Sequence, residues 1–575
     1  MEFSKQWLNE WVSSDLDTSV LVKQLTDLGL EVDSVKPAAG EFSGVVVGYI
    51  DSAVQHPDAD RLRCCKVNVG DAELLDIVCG GVNARAGIKV AVAKVGAILA
   101  GDFKIKPAKL RGQPSAGMIC SATELGLVGC SEVAGGIMEL AEDAPVGVDL
   151  FNYLNLDDQI IDIELTPNRG DCANIHGIAR EISNVLGVSL ILPVSTEVDF
   201  RLDELPNVTV AESSACPRYC SRIIRNINPN AVTPLWMQER LRRSGLRVVH
   251  PVVDVMNYVM LELGQPLHAF DADKITGDLN VRYASEGERI ELLDGQTVEF
   301  TPAKLKHPVV VVADSVGPQA IAGIMGGSHS GVTAATQSIV LESAFFAPVC
   351  IRRAAGQLGL HSDSSYRFER GVDYDMQQDA LERASSLLCE IVGGDIGPVL
   401  TVADQAELPQ ASTVNLRYEQ VERVLGVAVA KTKIISILRG LGFTLLNENS
   451  PWHFRVPSFR FDIEKEVDLI EEVARVYGYQ NIPTALLSGG VVMALPNAKV
   501  ERDKLITQCL NQLGYSEAIT YSFVDAKFQD KVLGHDDTSI KLRNPIAQDL
   551  AVMRQSCLPG LLKVMEFNLN RQHSR

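Results

Sequence analysis

The sequence predicts a multidomain α+β protein, and three observations predict it. The chain has 575 residues, room for about four domains at ~150 residues each. Hydrophobic residues make up 46% and charged residues 22%, the balance of an ordinary globular protein. Segments of helical spacing alternate with short β-rich runs, with no internal repeat or low-complexity tract.

Composition excludes several classes. No apolar run approaches the ~20 residues of a membrane span. The start, MEFSKQWLNEWVSSD, lacks the basic-then-apolar order of a secretory signal. Twelve Cys are scattered without Cys-x-x-Cys or zinc spacing, which predicts free thiols in a reducing cytosol. The net charge of −20 argues globally against nucleic acid.

The elements follow in order. Residues 17–29 read as a short helix: Asp17 or Thr18 caps it, Leu21, Leu25 and Leu28 share a face, and Gly29 closes it. From Val45 to Gly112, VVVGYI, CCKVNVG, LLDIVCG, IKVAVAKVG and FKIKPAKLRG are separated by Gly, Asp and Asn, the spacing of a small barrel. Between Arg85 and Arg111, seven basic residues (Arg85, Lys89, Lys94, Lys104, Lys106, Lys109 and Arg111) stand against one acid, Asp102. This island is either a phosphate-binding track or a solvated strand face. A helix-like Ile175–Leu186 comes next, then a linker from Pro193 to Pro206. Residues 207–400 mix α and β. Trp236 to Gly245 is a helix with a Gly stop, and Arg240, Arg242 and Arg243 suit its C-terminal dipole. Residues 405–485 end in an acidic helix, and 495–575 begin a further mixed segment.

Two constellations carry chemistry. In His250–Asp271, Asn257, Glu262, Gln265 and His268 sit in an apolar frame, where polar groups cost free energy unless the protein or a ligand binds them. Glu342, between Ile339-Val-Leu and Ala344-Phe-Phe, is a buried carboxylate that either pairs with Arg352 or Arg353 or accepts from a polar ligand. His268 is either a core histidine or a functional one. Gly323, Gly326 and Gly327 permit close backbone approach. In the second constellation, Asp468, Glu471 and Glu472 stand at i, i+3 and i+4 with Asp462 six residues before. That is either a solvated acidic face or a set of hard oxygens suited to Mg²⁺.

These motifs resemble the β-subunit family of bacterial phenylalanyl-tRNA synthetase. His56-Pro-Asp-Ala-Asp-Arg-Leu62, Cys79-Gly-Gly-Val-Asn-Ala84, Lys109-Leu-Arg-Gly112 and Gly117-Met-Ile-Cys-Ser121 resemble its tRNA-binding OB fold. Ile163-Glu-Leu-Thr-Pro-Asn-Arg169, His250–Asp271, Ile321–Gly331, His361–Asp373, Val473-Ala-Arg-Val-Tyr-Gly-Tyr479 and Arg554–Leu562 follow in the family's order.

The resemblance implies a discontinuous N-terminal α+β module (1–38 and 152–200) with an inserted OB barrel (39–150). An α+β editing module (205–400), a small winged-helix-like Mg²⁺-binding module (405–485) and the start of a class II synthetase-like, non-catalytic module (495–575) follow. It implies that Glu342 accepts the para-hydroxyl of misattached tyrosine, that His268 and Asn257 hold the terminal ribose or a water, and that Gly323, Ser362 and Ser364 line the pocket. Met256 stands where Thr is usual, and Ser364 adds a hydroxyl to a usually apolar wall. Asp462, Asp468, Glu471 and Glu472 would bind Mg²⁺ at an α subunit, which would use ATP to activate phenylalanine in a cytoplasmic α₂β₂ complex with tRNA(Phe). No class II catalytic motif or cofactor-binding motif is read in this chain. The resemblance also implies a chain cut short at its C-terminus. A stand-alone deacylase or a tRNA-binding scaffold are the alternatives.

Overall fold

The structure is a computed structural model describing residues 1–573 apart from 15, 128–134, 194–197, 302–304, 448, 450, 487–496 and 535–537. The linker read at 193–206 and the start of the 495–575 segment lie partly outside the described residues. Two compact units are present, Met1–Thr484 and Ala485–Arg575.

The chain opens with an antiparallel sheet ordered Glu2–Ser4, Gln159–Glu164, Glu31–Pro37. Its middle strand comes from behind the barrel and its outer strands from in front. The helix Thr18–Asp27 packs here because Leu21 and Leu25 are buried, Asp17 accepts from the Ser19 N–H, and Gly29 takes φ +84° just past its end. Ile175–Leu186 is capped by Asn174 and stopped by Gly187.

The barrel runs Gly117–Ile119, Lys89–Leu99, Ser43–His56, Ala59–Asn68, Leu75–Cys79, all antiparallel. Its open edges meet where Ala116 N–H donates to Asp76 O at 2.8 Å. The FKIKPAKLRG run forms two short strands, Phe103–Lys104 and Ala108–Leu110, rather than one. Pro107, lacking an N–H, stands between them.

Besides a short pair, Arg289–Glu291 with Thr297–Glu299, the next module holds two five-stranded sheets. One is ordered Leu267–Asp271, Ile339–Phe345, Arg218–Arg225, then Asp395–Ile396, with Leu400–Ala403 also on Arg218–Arg225. The other is ordered Val208–Val210, Leu279–Tyr283, Val310–Ala313, Pro318–Ile321, Met325–Gly326. The helix Pro251–Leu263 shares one apolar core with the N-terminal module, where Val252, Val255 and Tyr258 pack with Trp7, Leu8 and Ile178. A separate core lies under the sheet Thr413–Leu416, Trp452–Arg455, Thr444–Asn447 and the helix Glu466–Tyr477. The second unit contains the helices Ala498–Gln512, Ala526–Leu533 and Leu558–Leu569. No helix among the described residues is long and apolar enough to cross a membrane.

Candidate functional site

The His250–Asp271 run folds as a helix, a tight stop and a strand. His250 Nδ1 accepts from the Val252 N–H, Pro251 fills the first turn, and Gly264 takes φ +85° at the stop. The strand Leu267–Asp271 then pairs antiparallel with Ile339–Phe345, which sets His268 directly opposite Glu342. Opposed residues share a sheet face with Cβ atoms about 5 Å apart.

Glu342 is buried among apolar side chains. Burial pushes its carboxyl up to about 7, with a hydrogen bond from Tyr219 opposing the rise. That bond, Tyr219 Oη to Oε2, is 2.8 Å long. Among the described residues no ion pair joins Glu342 to Arg352 or Arg353, which stay exposed. Burial lowers His268 to about 4, so the ring is neutral at pH 7. Its Nε2 is buried and has no hydrogen-bond partner, and its edge packs on Phe270 at 4.5 Å between centroids.

The glycine turn is shaped around this ring. A Cβ on Gly326 would lie 2.5 Å from His268 Cε1 and 2.9 Å from Nε2. Gly323, at φ +66°, is closed in by Ile351, Phe346 and Phe368. Ser362 caps the helix Asp363–Phe368, accepting from Ser365 N–H and donating to Ile324 O at 2.7 Å, so it ties that helix to the turn. Ser364 and Asn257 are half-buried, Asn257 on the Pro251–Leu263 helix. A cleft of about 360 Å³ is lined by His361, Ser362, Asp363, Ser365, Tyr366 and Glu369.

Of Asn257, Glu262, Gln265 and His268 in the His250–Asp271 run, Glu262 and Gln265 are satisfied internally. Glu262 takes Tyr258 and a two-pronged Arg383. Gln265 donates to Ala344 O and accepts from Gln377. Only His268 keeps a buried polar atom without a partner among these four.

The acidic helix is divided between core and solvent. Glu472 is buried and receives Arg460 at 2.7 Å and Arg475 at 2.9 and 2.5 Å. Burial alone would raise its carboxyl, but the charges of Arg475 and Arg460 hold it well below the usual range. Asp462 takes Arg460 on both oxygens at 2.8 Å. Asp468 Oδ2 accepts the N–H groups of Glu464 and Lys465, and Glu471 is exposed. As they stand, these four do not fit one shared cation, because guanidinium groups hold Asp462 and Glu472. Among the described residues the one converging set of metal-ligating side chains is Asp171, Cys172 and Glu181, and Arg169 fills it.

The basic island splits as well. Arg85 is paired with Glu139 at 2.7 and 2.8 Å and Lys94 with Asp71 at 2.6 Å. Lys104, Lys106, Lys109 and Arg111 are exposed, and Lys89 is half-buried. Exposed Phe103 stands beside Lys104.

Sequence reasoning missed Tyr219, a buried aromatic that its strand pattern presents as core. It also gave Arg240, Arg242 and Arg243 to the helix dipole. Arg240 and Arg243 instead reach Glu10 and Asp158 and Arg242 donates to Ala38 O, clamping this helix to the N-terminal module, while Glu239 of the same helix pairs with Arg242 and Arg243.

Four family models match: "Putative tRNA binding domain" over 45–149, "B3/4 domain" over 215–393, "tRNA synthetase B5 domain" over 414–479, and "Phenylalanyl tRNA synthetase beta chain CLM domain" over 482–575. The His268–Glu342 pair falls in the B3/4 match and the acidic helix in the B5 match. Relatives named phenylalanine--tRNA ligase beta subunit come from Pseudoalteromonas translucida (51% identical), Photorhabdus laumondii (48%) and Yersinia pestis (49%). Each alignment covers 100% of this chain and 71% of the relative. With about half its residues identical over its whole length, this chain belongs to the family of phenylalanine--tRNA ligase beta subunits.

Proposed function

We propose that this chain acts as the β subunit of a cytoplasmic phenylalanine--tRNA ligase. With an α partner in an α₂β₂ complex it supports ATP + L-phenylalanine + tRNA(Phe) = AMP + diphosphate + L-phenylalanyl-tRNA(Phe). The α subunit uses the ATP. This chain binds tRNA and hydrolyses mischarged Tyr-tRNA(Phe). The observation that carries the editing reading is the buried His268–Glu342 pair, with one imidazole nitrogen unpartnered.

The chemistry follows from those groups. The para-hydroxyl of a tyrosyl ester donates to Glu342. A phenylalanyl ester brings no hydroxyl and leaves that acceptor unpaired, a penalty that discriminates strongly. Neutral His268, with Asn257 nearby in sequence, holds a ribose hydroxyl or a water. Hydrolysis of an activated ester needs a placed water and donors for the oxyanion rather than a strong nucleophile. On the barrel, Lys104, Lys106, Lys109 and Arg111 offer phosphate contacts free of the carboxylates that hold Arg85 and Lys94.

Mg²⁺ at Asp462, Asp468, Glu471 and Glu472 is a separate proposal. Hard carboxylate oxygens suit it, and it requires Arg460 and Arg475 to yield oxygens they now hold. Calorimetric titration with MgCl₂, with and without α, tests it. No heat in either condition removes it.

Tyrosine release from Tyr-tRNA(Phe), with and without α, tests the function. Release abolished by Glu342→Ala supports editing at this site. Equal release without α favours a stand-alone deacylase. Salt-sensitive tRNA binding with no release leaves a scaffold.

A further inference from the structure

A buried carboxylate and a buried phenol each cost free energy alone, and here each satisfies the other. Tyr219 is fully buried, in one apolar cluster with Phe270, Ala344 and Phe345. Its strand, Arg218–Arg225, pairs with Ile339–Phe345 on one side and Leu400–Ala403 on the other, which fixes its backbone. The register sets Ser221 opposite Glu342 and Tyr219 opposite Ala344, so Tyr219 is the diagonal neighbour of Glu342 on the same face. His268 flanks Glu342 from the other side.

We propose that Tyr219 is a positioning residue of the editing site: its hydroxyl, donating to Oε2 of Glu342, fixes the carboxylate and leaves Oε1 to accept the hydroxyl of an incoming tyrosyl ester. This rests on the editing reading above. The internal phenol makes the same kind of bond that the substrate phenol makes. The carboxyl therefore keeps a donor when the site is empty, and its plane is set before substrate arrives. A freely turning carboxyl would have to be ordered at each encounter. The bond also favours the charged form of Glu342, the better acceptor. The other titratable groups at Glu342 are Cys216, just before the Tyr219 strand, and His268.

The test is Tyr219→Phe, which keeps the ring and removes only the hydroxyl. Two readouts are used. The first is the pH profile of tyrosine release from Tyr-tRNA(Phe) by the chain with its α partner. The second is the infrared titration of the Glu342 carboxyl in the chain alone, its band assigned with Glu342→Gln. Loss of a hydrogen bond to a charged group predicts release slower by about tenfold near pH 7. The deficit should narrow as pH rises, and the infrared midpoint should move upward. An unmoved infrared midpoint overturns the proposal, as does a deficit equal at every pH, the mark of packing alone. Full release by Glu342→Ala, or none by the wild type, instead sinks the editing reading and the proposal with it. The infrared midpoint reports on the bond independently of turnover.

Discussion

His268 and Glu342 stand opposite each other on adjacent antiparallel strands, and both are uncharged between about pH 4 and about pH 7. Ionised, they would be a buried ion pair. Instead burial acts on each separately, upward on the acid and downward on the base. The site is a pair of neutral hydrogen-bonding groups over that range.

Opposed titrations follow. Glu342 moves from 4.5 to about 7 on folding, so the native state holds its proton more tightly and stability falls as pH rises through that window. His268 moves from 6.5 to about 4, so the unfolded chain protonates first and stability rises as pH rises from 4 to 6.5. Each is worth about 3 kcal/mol, and they nearly cancel. Glu342→Gln removes the first alone. Relative to wild type, the variant should gain about 3 kcal/mol between pH 4.5 and pH 7.5. Thermal melts at both pH values check this, and a constant difference contradicts it.

Gly326→Ala should displace His268, since the new methyl meets its ring at 2.5 Å. Overpacking of this kind costs about 1–3 kcal/mol. Tyrosine release should fall with the melting temperature. A variant that keeps both would show that the ring has room to turn.

Arg475→Met should be among the most destabilising single changes. It strips Glu181 and Glu472 of a shared counter-charge while both stay buried. Breaking such a pair costs about 3–5 kcal/mol, measurable by urea titration. Arg475→Lys should recover only part, because one ammonium cannot reproduce the two-pronged bonds. A loss under 1 kcal/mol would mean that water enters and solvates the acids.

Lys104→Ala, Lys106→Ala and Lys109→Ala should each flatten the plot of log affinity for tRNA against log salt by roughly 0.7–0.9. Arg85→Ala and Lys94→Ala should change it less, because Glu139 and Asp71 already hold those cations. Equal effects from both groups would mean that tRNA displaces the carboxylates.

What the sequence revealed and what it hid divide by distance along the chain. The cap Asp17 and the stop Gly29 are local to their helix, so they read directly. Glu342 could be read as buried, but its donor is 123 residues upstream. Arg383 answers Glu262 across 121 residues, and Arg475 answers Glu181 across 294. Helical spacing put Asp468, Glu471 and Glu472 on one face. The turn between Glu471 and Glu472 is enough to expose the first and bury the second under Arg460 and Arg475.

The sheet that opens the chain sets an order of events during synthesis. Its two outer strands leave the ribosome first, and the strand between them waits for a whole barrel to be translated. Until Gln159–Glu164 emerges, Glu31–Pro37 presents an unpaired edge, the kind of surface that recruits stray strands. The barrel, closed by its own contacts, becomes the clasp that carries the late strand back to its place. Closing so long a loop costs little more than closing a short one, since the entropy grows only with the logarithm of its length. A nascent chain halted within the barrel should therefore leave that edge open, and one extended past residue 164 should cover it.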